Sequence, residues 1–112
     1  MASSTLWNYF QIRIEEAMKK IYLFVEIDIK TGQKAEFLGK LLNHGAHIRS
    51  EEGCEALEIF QDTQNQDRIC VWEIWTDRTL WDSHMINDAS RAWQIVAKEF
   101  VHGEKITVMN SL

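Results

Sequence analysis

An α+β fold, with one antiparallel sheet and helices packed on one of its faces, is what this sequence predicts. Three observations carry it. Ile21–Lys30 and Arg68–Thr76 are strand-like in pattern. The segments between and after them bring apolar residues round at helical spacing. From Ile21 onward, the elements fall in the order β-α-β-β-α-α-β, the split βαβ arrangement.

Each element has its own warrant. In residues 1–20, Leu6, Phe10, Ile14 and Ala17 follow helical spacing behind a cap at Ser3 or Ser4, so these residues are read as an N-terminal helical extension. Its Leu6, Trp7, Phe10 and Ile14 are too apolar for a free tail, and the segment is expected to dock, either across the dimer at the pocket mouth as a lid or, the favoured reading, as a structural strap on its own subunit's helices. Residues 21–112 form the domain proper. Ile21, Leu23, Val25, Ile27 and Ile29 share one face of the first strand, which Thr31-Gly32 ends. A helix follows to Arg49, with Phe37, Leu38, Leu41, Leu42 and Ile48 facing inward. Glu51-Glu52-Gly53 breaks it. Cys54–Asp62 and Arg68–Thr76 are two strands joined by the loop Thr63–Gln66. The second of them is apolar on both faces, with Ile69, Val71 and Trp75 on one and Cys70, Trp72 and Ile74 on the other. Such a strand is covered on both sides. Asp77 caps a helix over Arg78–Ile86. Asn87-Asp88 caps the next, with Ala89, Ala92, Trp93, Val96 and Phe100 as its stripe and Gly103 as its stop. Ile106 and Val108 mark the last strand. This is a ferredoxin-like order with its second helix broken in two. Helices cover one face of its sheet, so the other apolar face calls for a homodimer.

Composition narrows the function. The chain has 112 residues and a net charge of −5, with no basic cluster, which argues against nucleic acid. No apolar stretch is long enough to cross a membrane, and the start lacks a signal peptide. Cys54 and Cys70 form no CxxC pair and read as reduced thiols of a cytoplasmic protein. No phosphate loop or dinucleotide fingerprint occurs. His44 and His47 are three apart on a helix, but no third ligand follows, so they read as solvated side chains and no metal is expected.

The chemistry concentrates in Val71–Met85. Glu73 and Trp75 point to the same face of their strand. On the following helix, Leu80, Trp81, His84 and Met85 recur at helical spacing, which puts His84 on the apolar side. A carboxylate, an indole and an imidazole aimed at one interior would line a pocket for a small aromatic molecule. In that reading His84 is the base, since a neutral imidazole accepts a proton near pH 7. Trp75 is the stacking wall, Glu73 a supporting hydrogen-bond partner, and Trp81, Met85 and Phe37 apolar lining. The competing reading is a core histidine satisfied by a backbone carbonyl, with Trp75 as simple packing. A further possibility depends on register. If Asp62 pairs with Asp67, Glu58 and Glu73 share a face and become a coupled carboxylate pair.

Three stretches resemble a known family: VEIDIKTG on the first strand, RSEEGC before the second, and ExW followed nine residues later by His, here Glu73, Trp75 and His84. Together they resemble the antibiotic biosynthesis monooxygenase domain, a dimeric α+β barrel family, and its quinol monooxygenases in particular. The resemblance runs from Ile21 to the C-terminus. It implies a two-fold homodimer with a pocket in each subunit, and oxidation of phenols, quinols or related aromatics by O2 without bound metal or flavin. Asp88-Ala89 stands where some members carry a second His. The first strand lacks the Asn of heme-degrading relatives, and Val71 precedes the ExW where some aromatic oxygenases have Asn. These departures keep a second expectation open: a non-catalytic binder or sensor of small molecules on the same fold.

Overall fold

The computed structural model describes residues 2–112, with side chains from Thr5 onward. Its elements are α1 (Ala2–Met18), β1 (Ile21–Ile29), α2 (Lys34–Arg49), β2 (Cys54–Gln61), β3 (Arg68–Trp75), α3 (Arg78–Ile86), α4 (Asp88–Ala97) and β4 (Val101–Met109). The four strands form one antiparallel sheet in the order β2-β3-β1-β4. The predicted α+β ferredoxin-like order is therefore the observed one.

Strand alternation builds the core. Ile21, Leu23, Val25, Ile27 and Ile29 are all buried, and their partners across β3 continue the same apolar surface through Ile69, Val71 and Trp75. Phe37, Leu41 and Ile48 of α2, Trp81 of α3 and Phe100 close over it. The opposite face carries Tyr22, Phe24, Trp72 and Ile74, which stay half-buried, and Phe60, which is exposed. Tyr22 and Trp72 lie 6.0 Å apart there.

Four details differ from the sequence expectation. Leu42 is half exposed rather than inward. The last helix stops at Ala97, and Gly103 lies inside β4, opposite Asp28, so it is not a helix stop. Phe100 still reaches the core from the turn between them. The hairpin register is shifted by one residue. Asp62 Oδ1 accepts from the backbone N–H groups of Gln64 and Asn65, and Asn65 O accepts from Arg68 N–H. These local bonds close the loop at Asp62–Arg68 instead of Asp62–Asp67. Glu73 then opposes Leu57, and Glu58 opposes Trp72. A one-residue slip moves a side chain to the other face, so Glu58 is on the outer face and forms no pair with Glu73.

The fourth difference is α1. Leu6, Trp7, Tyr9, Phe10, Ile12, Ile14 and Met18 are each more than half exposed. Leu6, Phe10, Ile14 and Ala17 do fall on one side of the helix, as the spacing predicts, but that side stays exposed and is not packed on the rest of the subunit. α1 approaches α3, but its apolar side chains stay exposed, so the burial expected of a strap is not seen on the subunit. The side chains of Ser3 and Ser4, the expected caps, lie outside the described residues.

The turn into β2 is sterically exacting. Gly53 has φ +90°, and a Cβ there would stand 2.6 Å from Leu80 Cβ on α3. Gly53→Ala is expected to cost about 2 kcal/mol or more, from left-handed backbone strain and from overlap with α3. Chemical denaturation of the two proteins checks this; unchanged stability would refute the close approach.

Candidate functional site

Between the sheet and α2, α3 and α4 lies a cavity of about 350 Å³. Strand register lays out its floor. Glu73 shares a row with Leu57 and Leu23; the next row is Val71, Val25 and Ile106; Glu104 lies beyond, in the row of Ile27. The floor thus runs from a buried carboxylate, over an apolar stretch, to a carboxylate at the open end. The roof comes from Leu41, His44, Gly45 and Ile48 of α2, His84 and Met85 of α3, and Ser90, Trp93, Gln94 and Ala97 of α4.

His84 is buried, as its place on the apolar side of α3 requires. Its ring stacks on Trp75 with centroids 4.7 Å apart. Its Nδ1 lies 2.8 Å from Glu51 Oε2 and 3.4 Å from Ser90 Oγ. A carboxylate can only accept, so Nδ1 carries the proton and donates it to Glu51. In the neutral tautomer that makes this bond, Nε2 is the nitrogen without a proton. Among the described residues no fully buried side-chain nitrogen or oxygen lacks a partner. Nε2 makes no hydrogen bond to protein, so it opens onto accessible space, and His84 lines the cavity. Glu51 is itself held: Asn87 Nδ2 donates to its other oxygen, while Asn87 Oδ1 caps α4 at Ser90 N–H, 2.8 Å away.

Glu73 accepts from Trp75 Nε1–H at 2.9 Å. Burial raises its carboxyl pKa above the ordinary value, against the opposing pull of the indole N–H and of His84. Glu104, at the cavity mouth, is also raised by desolvation. Cys54 is pushed up to about 11, mainly by burial and then by Glu73 and Glu51, which keeps it a thiol rather than a nucleophile.

The residues singled out in the sequence divide in two. Glu73, His84 and Met85 line the cavity. Trp75, Trp81 and Phe37 do not. Trp75 is wholly buried behind His84, with its ring face already used. Trp81 packs under the Arg78 guanidinium, 4.8 Å away, and Phe37 packs between Trp93 and Phe100. The indole on the cavity wall is Trp93 instead. Three site residues were missed. Glu51 sits in a helix-breaking turn, where only the fold reveals its distance to His84; RSEEGC was the available signal. Trp93 was read as core. His44 was read as solvated, yet it is half-buried and stacks on Trp93 with centroids 4.5 Å apart and planes 10° apart. His47 is exposed, as expected.

An α+β fold with an apolar cavity between sheet and helices, a carboxylate-held imidazole in its wall and an apolar outer sheet face defines the class of protein. The sequence profile of the Antibiotic biosynthesis monooxygenase family matches residues 20–95, and the chain belongs to that family. No curated protein matches it significantly. Solved structures share the fold. Protein PA3566 of Pseudomonas aeruginosa has 19% identity and a TM-score of 0.78, covering 86% of this chain and 97% of that one. Protein SO0527 of Shewanella oneidensis has 20% identity and a TM-score of 0.78, covering 84% and 92%. A conserved protein of Methanosarcina mazei Go1 has 19% identity and a TM-score of 0.79, covering 88% and 99%. A structure described as an antibiotic biosynthesis monooxygenase has 17% identity and a TM-score of 0.76, covering 82% and 98%.

His44 gives a pH test. Its pKa is lowered from 6.5 to about 4, first by burial and then by the neighbouring His84 and His47. In the unfolded chain the imidazole protonates first as pH falls. Stability associated with neutral His44 is therefore present above pH 6.5 and is lost as pH drops towards 4. Between those pH values the wild type is expected to lose stability more steeply than His44→Phe in urea titrations. Equal slopes would show that His44 is not desolvated.

Proposed function

We propose that this protein is a monooxygenase that oxidises a small phenol, quinol or related aromatic with O2 and needs no bound cofactor. One observation carries the reading: His84 donates from Nδ1 to Glu51, so its basic Nε2 is the atom offered to an apolar cavity. That division of labour suits general-base catalysis, in which a carboxylate fixes the tautomer and supports the imidazolium that forms. Nε2 takes the proton from the substrate hydroxyl. The resulting phenolate gives electrons to O2 far more readily than the phenol does. The substrate supplies all four electrons: one oxygen atom ends on the ring, which leaves as a quinone, and the other leaves as water. Glu73 stands beside His84 as a supporting polar group. Met85 and Trp93 supply apolar contact, with Trp75, Trp81 and Phe37 holding the walls from behind.

The other reading is a non-catalytic binder or sensor on the same fold. The apolar row Val71, Val25 and Ile106 favours it, because that part of the floor offers no donor to a substrate oxygen. Both readings place the protein in the cytoplasm, as a homodimer joined through the outer sheet face. Sedimentation at micromolar concentration is expected to give a dimer, and Trp72→Glu to weaken it. A monomeric wild type would refute that assembly.

Oxygen uptake on a panel of quinols decides between turnover and binding. His84→Ala is expected to lose about 100-fold or more in kcat/KM. Glu51→Gln, which removes the tautomer-fixing charge, is expected to lose about 10-fold or more. Equal rates in wild type and His84→Ala would take His84 out of the mechanism. Ligand binding without oxygen uptake by the wild type would establish the binder.

A further inference from the structure

His44 is not used in the mechanism above, yet the fold places it with care. It comes from α2, on the roof of the cavity that His84 enters from α3. Stacking on Trp93, at 4.5 Å and nearly parallel, fixes the plane of its ring. Neither ring nitrogen bonds to protein among the described residues, and none of the fully buried polar side-chain atoms is unpartnered. Both nitrogens therefore reach accessible space beside the cavity. A half-buried imidazole with neither nitrogen bonded to protein keeps both available to a ligand.

The rest of the wall gives that ligand its shape. The Val71, Val25 and Ile106 floor and the Met85 side chain leave apolar space around the two imidazoles. An aromatic ring fits such space, and each imidazole can meet one polar substituent on it. His84 faces the oxygen that loses its proton. His44 is free to meet another. Its depressed pKa keeps it neutral, with one N–H to donate and one lone pair to accept, so it can bind either a hydroxyl or the carbonyl that oxidation makes of it.

We propose that His44 is a specificity-determining residue, hydrogen-bonding a second substrate oxygen remote from the one at His84, so that the pocket prefers dioxygenated aromatics over monophenols of the same ring system. This rests on the aromatic-substrate reading of the same cavity, and the test separates the two.

The probes are 1,4-dihydroxynaphthalene and 1-naphthol. Binding is measured by anaerobic calorimetry, and oxygen uptake is measured separately and corrected for autoxidation. His44→Phe keeps the stack on Trp93 and removes both nitrogens. His44→Gln keeps a donor and an acceptor without the ring. Wild type is expected to bind the diol more tightly than the naphthol. His44→Phe is expected to weaken the diol about tenfold more than the naphthol, the worth of one hydrogen bond. His44→Gln is expected to recover part of the difference, which general loss of packing would not allow. A diol preference that survives in His44→Phe with wild-type oxygen uptake overturns the role of His44 and leaves the enzyme intact. Binding arms that behave as expected while wild type consumes no oxygen support His44 and overturn the monooxygenase. Failure of both compounds to bind wild type overturns both.

Discussion

The 2.8 Å contact between Glu51 and His84 is the constraint on which the site depends. It ties together elements far apart in the chain. Glu51 belongs to the turn between α2 and β2, and His84 to α3. Asn87 binds Glu51 with its amide N–H and caps α4 with its amide oxygen, so the contact also sets where α4 begins. Trp75 backs the imidazole from β3 and spends its own N–H on Glu73. Gly53 makes the approach possible, because any larger residue would push Leu80 and α3 away from the turn. Remove the contact and the imidazole loses its tautomer, α4 its anchor, and the cavity one wall.

Much of this architecture was legible because it follows from short-range rules. The alternation of Ile21, Leu23, Val25, Ile27 and Ile29 defines the buried face of β1 without reference to any partner. Asp77 is a cap by its own chemistry, and it accepts from Leu80 N–H at 2.9 Å. The apolar spacing of Trp81, His84 and Met85 puts the histidine inside. What escaped the sequence depends on distance. The hairpin register turned on whether Asp62 paired across the loop with Asp67 or with Arg68, two options of nearly equal local plausibility. The partner of His84 lay 33 residues earlier. His44, on the flank of its helix, becomes half-buried only because Trp93 arrives from α4 to cover it.

Trp75 shows how residue type misleads when packing is unknown. An indole next to a candidate base reads as a stacking surface for substrate. The same-face geometry that put it beside Glu73 also let its N–H reach that carboxylate and its ring reach His84. With both used, no face remains for a ligand. Trp93 carries less signal in sequence, since it lies in an ordinary helical stripe, but its helix crosses the cavity instead of backing it.

The electrostatics of the cavity follow one rule. Desolvation is the first cause of the shift at Glu73, at His44 and at Cys54. It moves each towards its uncharged form: the carboxyl and thiol upward, the imidazole downward. A cavity built this way disfavours charge, which suits the neutral aromatic proposed for it. Proton transfer from a phenol creates two charges there, a phenolate and an imidazolium. Among the lining residues, His84 is the one whose protonated ring would be met at once by a carboxylate held ready for it. His44, stacked on an indole and without an acidic hydrogen-bond partner, has no such support. In the proposed mechanism the base is therefore His84, which has a carboxylate within hydrogen-bond reach, while His44, stacked on an indole with no acidic hydrogen-bond partner, is left to bind.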